Sequence, residues 1–146
     1  MRKLFKKVLP LMALVVALCC GIAMMTACSE PDVVYEGVVT IGTLDIDCTL
    51  TLKGDGKCEY VANYEGEDPF PGFSNTIESM KRTGTWELKD NVYAVTFVEK
   101  PSDKNLYPKV TLKSEYNETT KTYTIKYDVP SEFGSKPMTL EYKAEK

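Results

Sequence analysis

The sequence contains no histidine. That excludes a serine or cysteine nucleophile activated by imidazole, the His-Glu-x-x-His zinc sites and any imidazole acid/base, leaving carboxylates, lysine and tyrosine as candidate catalytic groups. Basic residues are also scarce beyond the N-terminus. The first 27 residues hold four of the eighteen (Arg2, Lys3, Lys6, Lys7) and none of the twenty-one acids, so the remaining 119 carry a net charge of −7. A surface so acidic has no electrostatic reason to bind nucleic acid or to cling to anionic lipid through its folded part. At 146 residues, 43% hydrophobic and 27% charged, the chain has room for one domain with a real core.

No charged residue stands between Val8 and Ala27, and the run follows a basic start. This is the pattern of a secretory signal, with a positive n-region, an apolar h-region and small residues before the cut. The alternative of an uncleaved membrane helix has about the required length, but Pro10 and Gly21 interrupt it. Met25-Thr26-Ala27-Cys28 resembles the lipobox of bacterial lipoprotein signal peptides. The resemblance implies that residues 1–27 are removed, that Cys28 becomes the first residue and takes a diacylglyceryl thioether, with palmitate a typical acyl chain, and that residues 28–33 are a short tether. Two or three acyl chains anchor stably, because each buried methylene adds about 0.8 kcal/mol. The expected place is the bacterial cell envelope, facing away from the cytoplasm, with the membrane met only through the Cys28 lipid.

Past Asp32 the apolar residues recur with period two. Ile46, Cys48, Leu50 and Leu52 share one face; after Gly54-Asp55-Gly56, so do Cys58, Tyr60, Ala62 and Tyr64. With those glycines in the loop, Leu52 faces Cys58, Leu50 faces Tyr60 and Ile46 faces Tyr64, so register and burial agree. Asp90-Asn91 suits a two-residue turn that needs positive φ, which pairs Leu88 with Tyr93, Trp86 with Val95 and Gly84 with Phe97. The segments Val110 to Tyr116, Tyr123 to Val129 and Met138 to Tyr142 alternate in the same way. With a first strand over residues 34–41, these predict an all-β fold, an antiparallel meander of about eight strands. Closing into a barrel removes free edges, and no long crossover favours a sandwich. One short helix is expected over residues 74–82, opened by a capping box of Asn75 and Glu78.

The turn signals and Gly84-Thr85-Trp86 make residues 34–143 resemble the lipocalin-like small barrels of bacterial lipoproteins, and the domain is taken as residues 34–146. Lipocalins carry Gly-x-Trp near their first strand, whereas here it stands mid-domain. The resemblance therefore implies a fold and a habit of binding, with no lipocalin binding residue carried over.

Eight of the nine tyrosines (35, 60, 64, 93, 116, 123, 127 and 142) fall on the inward face, and Tyr107 alone does not. Buried phenols need partners, so the rings either fill the core with hydroxyls at its rims or surround a bound molecule. An eight-stranded barrel is just wide enough for either. Residues 65–76 hold Phe70 and Phe73 in a Pro/Gly loop that can serve as a lid, a partner contact or a plug. The candidate ligand-binding residues are Tyr60, Tyr64, Phe70, Phe73, Trp86, Tyr93, Tyr123 and Tyr127. No cofactor or metal site is expected. Glu65, Glu67, Asp68, Asp45 and Asp47 could offer oxygens to calcium, but their spacing matches no calcium loop. Asn117-Glu118-Thr119 matches a glycosylation acceptor and reads as an ordinary turn.

Cys48 and Cys58 are the thiols left in the domain. The hairpin register sets them about 13 Å apart, beyond disulfide reach, so they are free and buried unless the register differs. The expected function is a monomeric, lipid-anchored, non-catalytic binder of a small apolar or amphipathic ligand. The alternatives are a protein-interaction or envelope-structural lipoprotein with a packed interior, and a carboxylate-based hydrolase. N-terminal analysis of the mature protein is expected to place its first residue at Cys28; a start elsewhere contradicts the lipobox.

Overall fold

The computed structural model describes residues 32–131 and 134–144. Cys28 and the segment before it lie outside the described residues. From Asp32 onward the chain forms a unit of its own, with nine strands: β1 Val33–Ile41, β2 Leu44–Leu52, β3 Lys57–Asn63, β4 Arg82–Lys89, β5 Val92–Phe97, β6 Val110–Lys113, β7 Glu115–Asn117, β8 Thr122–Val129 and β9 Lys136–Lys143. All pairings are antiparallel, in the order β6-β5-β4-β3-β2-β1-β9-β8-β7.

Every strand but β6 thus neighbours the next in sequence, and β9 returns to β1. The two ends of the order, β6 and β7, are successive in the chain and separated by Ser114 alone. They form one strand bent at that residue, its first half paired with β5 and its second with β8. Ser114 holds the bend by donating its N–H to Tyr93 O at 2.9 Å and accepting the Tyr93 N–H on Oγ at 2.8 Å. The nine strands therefore make a nearly closed, eight-sided wall, the all-β barrel that the period-two pattern predicts.

Both predicted hairpins have the expected registers. Leu52 pairs with Cys58, Leu50 with Tyr60 and Cys48 with Ala62; Gly84 pairs with Phe97, Trp86 with Val95 and Leu88 with Tyr93. Asp90 and Asn91 both take positive φ, 52° and 62°, which matches the strands' own twist. Leu88, expected on the inward face, is 49% exposed because it lies at the last turn of the wall. Where β4 crosses β5, only glycine serves: a Cβ on Gly84 would lie 1.9 Å from Thr96 O.

The helix differs from expectation. α1 spans Phe73–Ser79 and follows Gly72, whose φ of 87° and lack of a side chain replace the Asn75/Glu78 capping box. Ser74 turns instead to Asp68, donating to its Oδ1 at 2.6 Å. Phe73 and Ile77 face the core, with Met80 just beyond, the one-sided spacing of a helix laid over a barrel end. Arg82, expected to end the helix, begins β4 instead and points inward. Among the described residues no helix is long and apolar enough to cross a membrane.

Antiparallel alternation sends connections to opposite ends in turn. The short turns (53–56, 90–91 and 118–121) lie at one end, together with the start of β1 and the finish of β9. Residues 64–81 with α1 and 98–109 lie at the other, beside the two-residue β1–β2 turn, the end of β8 and the start of β9. We call these the turn end and the mouth.

Cys48 and Cys58 are free and buried. Burial pushes the Cys58 thiol up to about 11. It raises Cys48 too, against a partly compensating hydrogen bond that Tyr60 Oη donates to Cys48 Sγ at 3.0 Å. A thiol whose pKa is raised stays protonated at neutral pH, and the thiolate is the nucleophile. Neither cysteine is therefore expected to react with an aromatic disulfide reagent near neutral pH in the folded protein, and both should react once urea unfolds it. Reaction of either in the native state at the rate of an exposed thiol would contradict this burial.

Candidate functional site

The inward face of the wall is filled by rings. Toward the turn end, Tyr35, Tyr93, Tyr123 and Tyr142 stand edge-on, tilted or, for Tyr123 and Tyr142, stacked, with centroids 5.0 to 6.5 Å apart, and Tyr116 lies 4.5 Å from Tyr123. Such pairs each contribute about 0.5–1.5 kcal/mol beyond burial. Trp86 closes this end, half-buried, its Nε1 donating to Lys53 O at 2.8 Å. Tyr123 Oη donates to Asn91 Oδ1. Deeper, Tyr60, Phe97 and Tyr127 pack with centroids 5.4 to 5.9 Å apart. Burial raises the phenols of Tyr35, Tyr60 and Tyr127 above their ordinary range. Ser114 lies near the Tyr35 hydroxyl, but no hydrogen bond of ordinary geometry satisfies it.

Above this column lies Arg82, 1% exposed. Its Nη1 donates to Tyr127 Oη at 3.0 Å, and its Nη2 to Val98 O at 3.1 Å and Pro108 O at 2.6 Å. The guanidinium also faces the rings of Phe97 and Tyr107, at 5.2 and 5.5 Å. Among the described residues no carboxylate forms an ion pair with it. A planar fork can bind two carbonyls at once, and here it binds the two ends of the 98–109 loop. Within that loop, Lys100 N–H donates to Tyr107 O and Tyr107 N–H to Asp103 O, both at 3.0 Å. Tyr107, expected to be the one outward tyrosine, is thereby folded back over the barrel and is 5% exposed.

Between this loop and α1 the mouth holds a cavity of about 670 Å³. Its apolar wall comes from Ile41, Leu44, Phe73, Ile77, Met80 and Leu106, so the β1–β2 turn, the helix and the 98–109 loop all contribute. Ser131 and Lys136 add a side from the β8–β9 connection. Phe70, 43% exposed, packs edge-on against Phe73 at 5.2 Å and also lines it.

Of the predicted ligand-binding residues, the structure brings Phe70 and Phe73 to this cavity. Tyr64 supports it from outside, its ring 5.0 Å from Phe73. Tyr60, Trp86, Tyr93, Tyr123 and Tyr127 pack against one another below and do not line it. Sequence reasoning missed Arg82, Lys100, Met80 and the 98–109 loop. Counting back by twos from Trp86 through Gly84 places Arg82 inward, so that signal was present; the helical reading of residues 74–82 concealed it.

Among the described residues, the charged groups at the cavity are Lys100, Lys136 and Asp103. Lys100 Nζ donates to Ser79 O and sits 4.6 Å from the centre of the Tyr107 ring. Burial, then the charge of Arg82, pulls its pKa below the ordinary lysine range. Asp103 Oδ1 accepts the Leu106 N–H at 3.1 Å. Among the described residues no group of three metal-ligating side chains gathers. Compared with known proteins, the chain matches no family, no curated sequence and no solved structure.

Arg82→Met keeps bulk but leaves Val98 O, Pro108 O and Tyr127 Oη without their donor. It is expected to cost about 2–4 kcal/mol in urea unfolding and to speed hydrogen exchange at the Tyr107 amide, with Arg82→Lys in between because an ammonium lacks the fork. A loss below about 1 kcal/mol would show that the guanidinium does not hold the loop.

Proposed function

We propose that the protein is an exported lipoprotein, held in the bacterial envelope through a lipid on Cys28, whose barrel binds a small apolar or amphipathic molecule without chemical change. The observation that carries the binding reading is the mouth cavity. At about 670 Å³ it lies within the range of small-molecule sites, which are concave, mostly apolar and furnished with few polar groups. The reading differs from the sequence-based expectation in position, since the ligand is held under Phe70 and Phe73 but above the tyrosines rather than among them.

The lipobox gives the address. β1 starts at the turn end, opposite the mouth. The five residues after Cys28, 29–33, span at most about 17 Å, which on this reading keeps the domain close to its anchor. A protein-interaction role has one observation in its favour, the exposed ring of Phe70 at the rim.

Leu106→Trp, which puts a bulky ring into the cavity wall, is expected to weaken binding of an uncharged solvatochromic naphthalene dye at least about tenfold, a change of 1.4 kcal/mol, with little effect on folding because Leu106 is only half-buried. Fluorescence titration reads the change. Dye binding that Leu106→Trp leaves unaltered, or no saturable binding by the parent protein, overturns the proposal.

A further inference from the structure

The chain after residue 27 carries −7 overall, yet among the described residues two of the three charged side chains lining the cavity are lysines. The third, Asp103, already spends one carboxylate oxygen on the Leu106 amide. Among the described residues, neither Lys100 nor Lys136 forms an ion pair with a carboxylate, although Lys53, Lys81 and Lys104 do so on the outer surface. Behind the cavity wall, the guanidinium of Arg82 is buried against carbonyls, a hydroxyl and rings. The Lys100 ammonium is fixed at the wall by Ser79 O and the Tyr107 ring.

A cation held in partly dry surroundings beside another cation is in an unfavourable place, and an anion brought to it gains more than it would in water. The rest of the wall offers apolar surface from three elements. We infer that the cavity takes an amphiphile with a single anionic head, the head at Lys100 and Lys136 and the tail along Phe73, Ile77 and Met80. This rests on the reading of the cavity as a ligand site and adds the charge and polarity of its occupant. A carboxylate, a sulfate and a phosphate ester share the required chemistry.

The test uses membranes carrying the full chain, exposed in turn to diazirine-bearing analogues of dodecanoate, dodecanol and dodecylammonium, with adducts located by mass spectrometry and normalised to label in the lipid. The carboxylate analogue is expected to label Phe73, Ile77 or Met80 about tenfold more than the alcohol, the ratio that one charge-assisted hydrogen bond supplies. Lys136→Gln is expected to bring the ratio of carboxylate to alcohol labelling down toward one, and Lys136→Arg to preserve that ratio. Equal labelling by carboxylate and alcohol, or stronger labelling by the ammonium, overturns the inference and leaves the cavity a ligand site. Absence of cavity labelling by all three overturns both.

Discussion

Closing eight strand directions into one wall leaves an interior just wide enough for side chains, and that space is what the rest of the molecule is arranged around. Each strand turns every second residue inward, and five of those are tyrosines that become buried outright (35, 60, 93, 123 and 127). Rings of this size consume the interior. Tyr60 donates its hydroxyl to buried Cys48 and Tyr123 to Asn91 at the turn, while the Tyr35 hydroxyl has no hydrogen bond of ordinary geometry. The room for another molecule is displaced from the barrel's centre to its mouth. There the longer connections all emerge, because antiparallel alternation gives them no other end.

Arg82 links the filled interior to the open mouth. Its guanidinium touches Tyr127 below and both ends of the 98–109 loop above, so one side chain ties the core to the loop that forms one wall of the cavity. A buried cation held by neutral acceptors is costly compared with an apolar side chain of similar size. Its persistence here is accounted for by geometry, since no apolar residue could join two carbonyls and a phenol. The same charge adds to burial in pulling the pKa of neighbouring Lys100 below the ordinary lysine range.

The hairpins were legible because everything that determines them is local. Period-two alternation, Gly54-Asp55-Gly56 and Asp90-Asn91 fix both registers within a few residues of each turn, and the free state of Cys48 and Cys58 follows from the first register. The break at Ser114 was not legible: its alternation runs on unbroken, and the strand bends only because its two halves pair with partners far apart in the chain. The capping box failed because Gly72 could start the helix earlier by adopting positive φ. Tyr107 and Arg82 escaped for a related reason. The loop around Tyr107 has no periodicity and owes its position to contacts with a residue that local pattern assigned to a helix. Of the candidate site, the two phenylalanines were legible as a mouth loop; the cavity they cover depends on long-range packing of four connections.

On the proposed binding role, selectivity would be set by the loops at the mouth rather than by the ring-filled wall. Xenon titration of the methyl-labelled protein, followed by NMR, tests this most directly, because xenon enters apolar voids without regard to ligand chemistry. The account predicts shifts confined to the methyl groups of Ile41, Leu44, Ile77, Met80 and Leu106. Shifts at Leu50, Ile125 and Leu140, deep within the wall, would contradict it by showing that the space lies among the tyrosines after all.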